Sequence, residues 1–134
     1  MEITLADKEL LIKDLCGRLP YDVKVEHTSG IIGTLTDINV HQTYNEDDTI
    51  KDYLCYTNFF GDESCKIEYF KPYLFPVSSM TTKQKAELTY LTADIEEFNL
   101  QVIAQIDWLN KNHFDYRGLI KKGLAIDATN KNIY

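Results

Sequence analysis

The densest group of reactive side chains in this sequence is His113-Phe114-Asp115-Tyr116-Arg117. A carboxylate two residues from an imidazole, beside a phenol and a guanidinium, could carry general acid–base chemistry or hold an anion. The same residues can close a helix end and form one buried ion pair, and this structural reading is the one favoured. The other two histidines, His27 and His41, would share a metal ion or a proton only if the fold brought them together. Asn45-Glu46-Asp47-Asp48 offers four consecutive oxygen-bearing side chains. It lacks the alternating ligand positions and later Glu of an EF-hand, so a solvated loop is expected. The three cysteines, Cys16, Cys55 and Cys65, are odd in number and show no Cys-x-x-Cys spacing. That pattern fits neither a disulfide framework nor a zinc ribbon, and points to buried, reduced thiols in a reducing compartment. No nucleophile elbow, Walker loop, dinucleotide glycine fingerprint or zinc-protease helix occurs. No catalytic residue, metal or cofactor is expected, and an enzyme built on His113, Asp115, Tyr116 and Arg117 stands as an alternative.

A second group is aromatic. Eight of the sixteen aromatic residues fall between Tyr53 and Phe75, enough to form either a binding platform or a core. As a platform, Tyr53, Tyr56, Tyr69 and Phe70 would stack on bases or on a proline-rich peptide, with Lys66 and Lys71 on phosphates. As a core, the same rings would fill a small barrel. Core is favoured, because Lys51, Lys66 and Lys71 are the only cations nearby. The net charge of −7 lies entirely in residues 1–80, with 7 Lys+Arg against 14 Asp+Glu, while residues 81–134 balance at 7 and 7. Such acidity repels phosphates and disfavours nucleic acid, leaving a protein partner as the expectation.

The elements that must position these groups follow from periodicity. At 134 residues a single domain is expected. Residues 5–16 place Leu5, Leu11, Ile12, Leu15 and Cys16 on one helical face, with Thr4 or Asp7 as cap, Gly17 beyond the end and Pro20 as stop. Asp22–His27 and Ile31–Val40 read as a hairpin turning at Thr28-Ser29-Gly30. The second run changes parity near Thr36–Asp37, which predicts a bulge and a sharply bent strand. Strands are expected at Asp52–Asn58 and at Cys65–Lys71, the latter ended by Pro72, with a turn at Phe59–Ser64 between them and a short closing strand within Tyr73–Met80. Thr81 with Gln84 forms a capping box, and Asp94 with Glu97 a second one. Ile95, Phe98, Val102, Ile106 and Leu109 recur at steps of three and four, a helical stripe to be packed on the sheet or used in a homodimer through 95–109. Leu119, Ile120, Leu124 and Ile126 predict a docked tail, frayed after Ala128.

No apolar run approaches the ~20 residues of a membrane span, and MEITLADKELL lacks the basic and apolar regions of a signal peptide. A soluble, cytoplasmic protein without membrane contact is expected.

The strings GIIGTLTDINVHQTYN, KPYLFPVSSMT and WLNKNHFDYRGLIKKGLAIDA resemble a group of small, uncharacterised proteins of Bacteroides-type bacteria and their prophages and other mobile elements. The resemblance spans most of the chain, with residues 82–106 as its variable part. It implies an intracellular protein of mobile-element origin and transfers no activity. A helix followed by a bent strand pair carrying Gly33-Thr34-Leu35, Asp37 and Asn39 also resembles the start of Sm-like and SH3-like barrels. The second, RNA-contacting Arg-Gly motif of the Sm family is missing at 65–75.

The sequence therefore predicts an α+β domain: helix and lead-in over 1–20, a strongly bent antiparallel sheet or small SH3/Sm-like barrel over 21–80, and a helical cover with docked tail over 81–134. Its expected role is that of a non-enzymatic accessory or protein-interaction protein. The expected interaction surface draws on Tyr53, Tyr56, Tyr69, Phe70, His113, Asp115, Tyr116 and Arg117. A nucleic-acid-binding barrel is the first alternative.

Overall fold

A computed structural model of the chain describes residues 3–58 and 64–134, without the side chains of 54–58, 64 and 65. The class is α+β. In order come α1 (Leu5–Arg18), β1 (Lys24–His27), β2 (Ile32–Thr34), β3 (Asp37–Tyr44), β4 (Ile50–Asn58), β5 (Ser64–Lys66) and β6 (Phe70–Pro76). Then follow α2 (Thr82–Thr92), α3 (Phe98–Lys111), β7 (Phe114–Asp115) and β8 (Ile126–Asp127).

Thr4 caps α1, its hydroxyl accepting from the Asp7 amide at 3.0 Å. Gly17 lies inside the helix rather than beyond it. The reason is packing: a Cβ there would sit 3.3 Å from Nδ2 of Asn110, so α1 and α3 meet backbone to side chain. Burial of Leu11, Ile12 and Leu15 seats α1 on the main core with Val23, Val25, Leu35, Ile67, Phe70, Leu74, Leu119 and Leu124.

The strands form two sheets. One follows the order β2-β1-β6-β7 with β8 also on β6; the other follows β3-β4-β5. Among the described residues they do not close into a barrel. The β1–β2 turn is the one expected, with Gly30 at φ 91° and the Gly30 amide bonded to the His27 carbonyl at 2.8 Å. The parity change at Thr36–Asp37 is where the chain leaves one sheet for the other, not a bulge within one strand. Leu35 anchors the crossing: it is buried, and its amide donates to the Val23 carbonyl at 3.0 Å.

Pro72 does not end a strand; it sits within β6 opposite Val25. The Thr28 amide bonds to the Tyr69 carbonyl at 3.0 Å, so hydrogen-bonded pairs fall at 28/69 and 26/71 and skip 25/72. The missing N–H of proline therefore costs the ladder nothing. Residues 59–63 of the expected turn lie outside the described residues.

The Thr81–Gln84 capping box is present in both directions, at 2.9 and 3.1 Å. The second helix starts at Phe98, capped by Glu97 without a side-chain hydrogen bond, so the Asp94–Glu97 box does not form. The stripe packs only in part: Leu109 lies against the cluster of Met80, Trp108 and Phe114, while Phe98 and Ile106 are exposed. Cys16 is likewise exposed on α1 rather than buried.

The end does not fray; Tyr134 returns to the sheet. Its hydroxyl accepts from the Lys24 amide at 2.9 Å and donates to the Tyr73 carbonyl at 2.7 Å, one residue past the last β1–β6 pair. The phenol thus bridges the two strands where their own ladder stops. Burial of this hydroxyl pushes its pKa up to about 12. Tyr134→Phe keeps the ring and strands both backbone groups, so it should cost about 1–2 kcal/mol. Thermal unfolding should show a lower Tm with an unchanged far-UV spectrum.

Candidate functional site

The side chains singled out at 113–117 converge on α1, around a charge pair that is fully enclosed. Asp14 and Arg18 stand four residues apart on the helix face that carries Leu11 and Leu15, and both are 0% exposed. Arg18 Nε donates to Asp14 Oδ2 at 2.7 Å, and its Nη2 donates to Oδ1 at 3.1 Å and to the Phe114 carbonyl at 2.7 Å. Arg117 Nε adds a second cation 3.4 Å from Asp14 Oδ1. The Tyr116 ring lies 5.2 Å from the guanidinium carbons of both Arg18 and Arg117. Its hydroxyl donates to Asn110 Oδ1 at 2.8 Å.

Each member of the 113–117 group is therefore held by the fold. Asp115 accepts from the Leu119 and Ile120 amides, both at 2.9 Å, and so starts the turn that leads into the docked tail. His113 ends α3 in the left-handed region at φ 62°, a position that usually takes Gly or Asn. Its ring stacks on Tyr134 at 3.7 Å, and its carbonyl accepts from the Phe75 amide at 2.8 Å. The ring nitrogen Nδ1 is buried without a hydrogen-bond partner, as is Nη1 of Arg18. Burial first, and then the Arg18 charge, bring the His113 pKa down to about 4, with Asp22 opposing and Lys24 assisting.

The aromatic set does not assemble into one exposed face. Tyr53 and Phe70 belong to the main core, whereas Tyr69 is exposed; the side chain of Tyr56 lies outside the described residues. His27 and His41 are on different sheets, and His27 Nδ1 is engaged by Ser29 at 2.8 Å. Asn45–Asp48 forms the β3–β4 turn, in which Asp47 Oδ1 accepts from the Thr49 amide at 3.1 Å and also from its hydroxyl. Among the described residues no three His, Cys, Asp or Glu side chains gather as a metal site. A groove of about 300 Å³ runs past Glu26, His27, Glu68, Tyr69 and Lys71. Its Glu68 lies 3.6 Å from Lys8 Nζ, which also bonds Asp52 at 2.8 Å. No helix is long and apolar enough to cross a membrane among the described residues. No protein-family model, curated protein or solved structure matches this chain.

Two outcomes follow from the enclosed pair. Asp14→Ala leaves a guanidinium buried without its counter-charge, so it should cost about 3–5 kcal/mol, with the apolar double variant Asp14→Leu/Arg18→Met costing less. Denaturant titration of both variants checks this. Because the folded pKa of His113 lies below its unfolded value, its contribution to stability is complete above pH 6.5. It falls as the pH drops toward about 4, where the unfolded chain takes up a proton that the folded chain refuses. The loss is at most about 3 kcal/mol. A pH series of Tm values on His113→Asn, which suits the left-handed backbone, should be flatter over that window than the series for the unaltered chain.

Proposed function

We propose that this chain is a non-enzymatic, cytoplasmic protein-interaction module, acting for a mobile element in a bacterial host. Its working surface is the free part of the α2–α3 hairpin. The observation that carries the reading is the outer face of α3. Phe98, Leu100, Ile103 and Ile106 are 73, 50, 55 and 37% exposed. Residues 98–106 contain no charged side chain, in a chain that is 26% charged. Large apolar side chains left open on an uncharged stretch of helix are the features that a partner's groove covers. Only the C-terminal end of α3, at Trp108 and Asn110, is buried, so the rest of the helix is available without unfolding anything. The resemblance to mobile-element proteins supports the setting.

An enzymatic role has less support, because His113, Asp115, Tyr116 and Arg117 are each engaged by the fold itself. Nucleic-acid binding has less support as well, since two of the four stacking candidates are core residues and the surface is acidic.

A photo-crosslinking residue at Ile103, in the full chain expressed in its native host, should capture one discrete protein. The same residue at exposed Lys121 should not, and equal capture at both positions would sink the proposal. In a polarisation titration with single-stranded DNA and RNA at low salt, no binding is expected; salt-dependent binding would favour the nucleic-acid reading instead.

A further inference from the structure

We infer that β3 is a self-pairing edge, through which two copies of this chain join their three-stranded sheets. β3 is the outer strand in the order β3-β4-β5 and runs for eight residues, Asp37–Tyr44. The opposite edge, β5, and the edge strand β2 of the other sheet are three residues each. Short edges offer little to pair with, whereas a long one presents a row of unused amides and carbonyls. Natural long edges are blunted by Lys, Pro or a central bulge. Residues 37–44 contain no Lys, Arg, Pro or Gly. The only register irregularity falls at Thr43/Tyr44, at the far end. Six of the eight side chains are exposed, and Ile38 and Thr43 are half-buried.

The occupant is a second copy because the strand is complementary to itself. An antiparallel two-fold axis at Val40 sets Val40 against its own copy, Asn39 against His41, Ile38 against Gln42 and Asp37 against Thr43, each pair on one face of the joined sheet. Apolar Val40 meets its own copy, Asn39 meets the His41 imidazole, and the single acidic residue, Asp37, never faces its own copy, so a pair of chains each at −7 avoids like charges across the seam. A charged peptide partner would find nothing to match in 38–44. This surface is separate from the α3 face, and its success or failure leaves that proposal standing.

Light scattering coupled to size-exclusion chromatography, over a wide concentration range, should show the mass rising toward twice the 15.5 kDa chain. Asn39→Lys/His41→Lys puts lysine opposite lysine twice across the seam. It should return the chain to a monomer with an unchanged far-UV spectrum, whereas Ile103→Lys should leave the dimer intact. A chain that is monomeric at every concentration overturns the inference, as does a dimer that survives the double lysine variant. Should that variant unfold, amide exchange across 38–44 of the unaltered chain decides: slowing with concentration supports the seam, and concentration-independent exchange refutes it.

Discussion

The interaction on which the rest of this structure depends is the Asp14–Arg18 pair. Two opposite charges with no exposure to water are costly to bury, and what offsets that cost is their mutual attraction together with further close partners. Here the partners come from both ends of the chain. The guanidinium reaches the Phe114 carbonyl, Tyr116 packs against it, and Arg117 approaches the carboxylate from outside. The pair itself is local to α1, but ninety-six residues separate Arg18 from Phe114, so its enclosure requires the tail after α3 to be in place. It acts as a geometric condition on the fold more than as a source of net stability.

From this condition follows the behaviour of the region richest in functional groups. His113 is left neutral beside a net positive cluster, Asp115 is spent on starting a turn, and Tyr116 and Arg117 brace the pair. Tyr134 adds a second closure by bridging Lys24 and Tyr73, so the end of the described chain, the first strand and the central strand are held together. What remains outside this consolidated half is the first part of α3, all of α2, and the long edge of the β3–β4–β5 sheet.

Much of the architecture was legible in sequence because it is local. The caps at Thr4 and Thr81 and the Gly30 turn each depend on neighbours a few residues away, and the Leu119–Leu124 segment shows its burial by its apolar composition. The parity change at Thr36 was visible too, but a bulge and a switch between sheets leave the same alternation, and only the pairing partners tell them apart. The hub was not read, although its signal exists: Leu11, Asp14, Leu15 and Arg18 share one helical face, which an amphipathic reading assigns to solvent at the charged positions. Gly17 misled for a related reason, since a glycine fits both a helix end and a close helix crossing. The two-residue strands β7 and β8 have no sequence signature of their own. The exposed half of α3 could not be anticipated, because periodicity records which face is apolar but not whether anything covers it.

A consolidated hub of α1, β6 and the 114–128 segment leaves the outer face of α3 exposed. Native-state amide hydrogen exchange on the isolated chain at low concentration tests this most directly. The slowest amides should lie in 11–18, 70–76 and 114–128, with 82–106 exchanging faster through local opening. Protection across 98–106 equal to that of α1 in the monomer would contradict it, because that helix would then already be secured within its own chain.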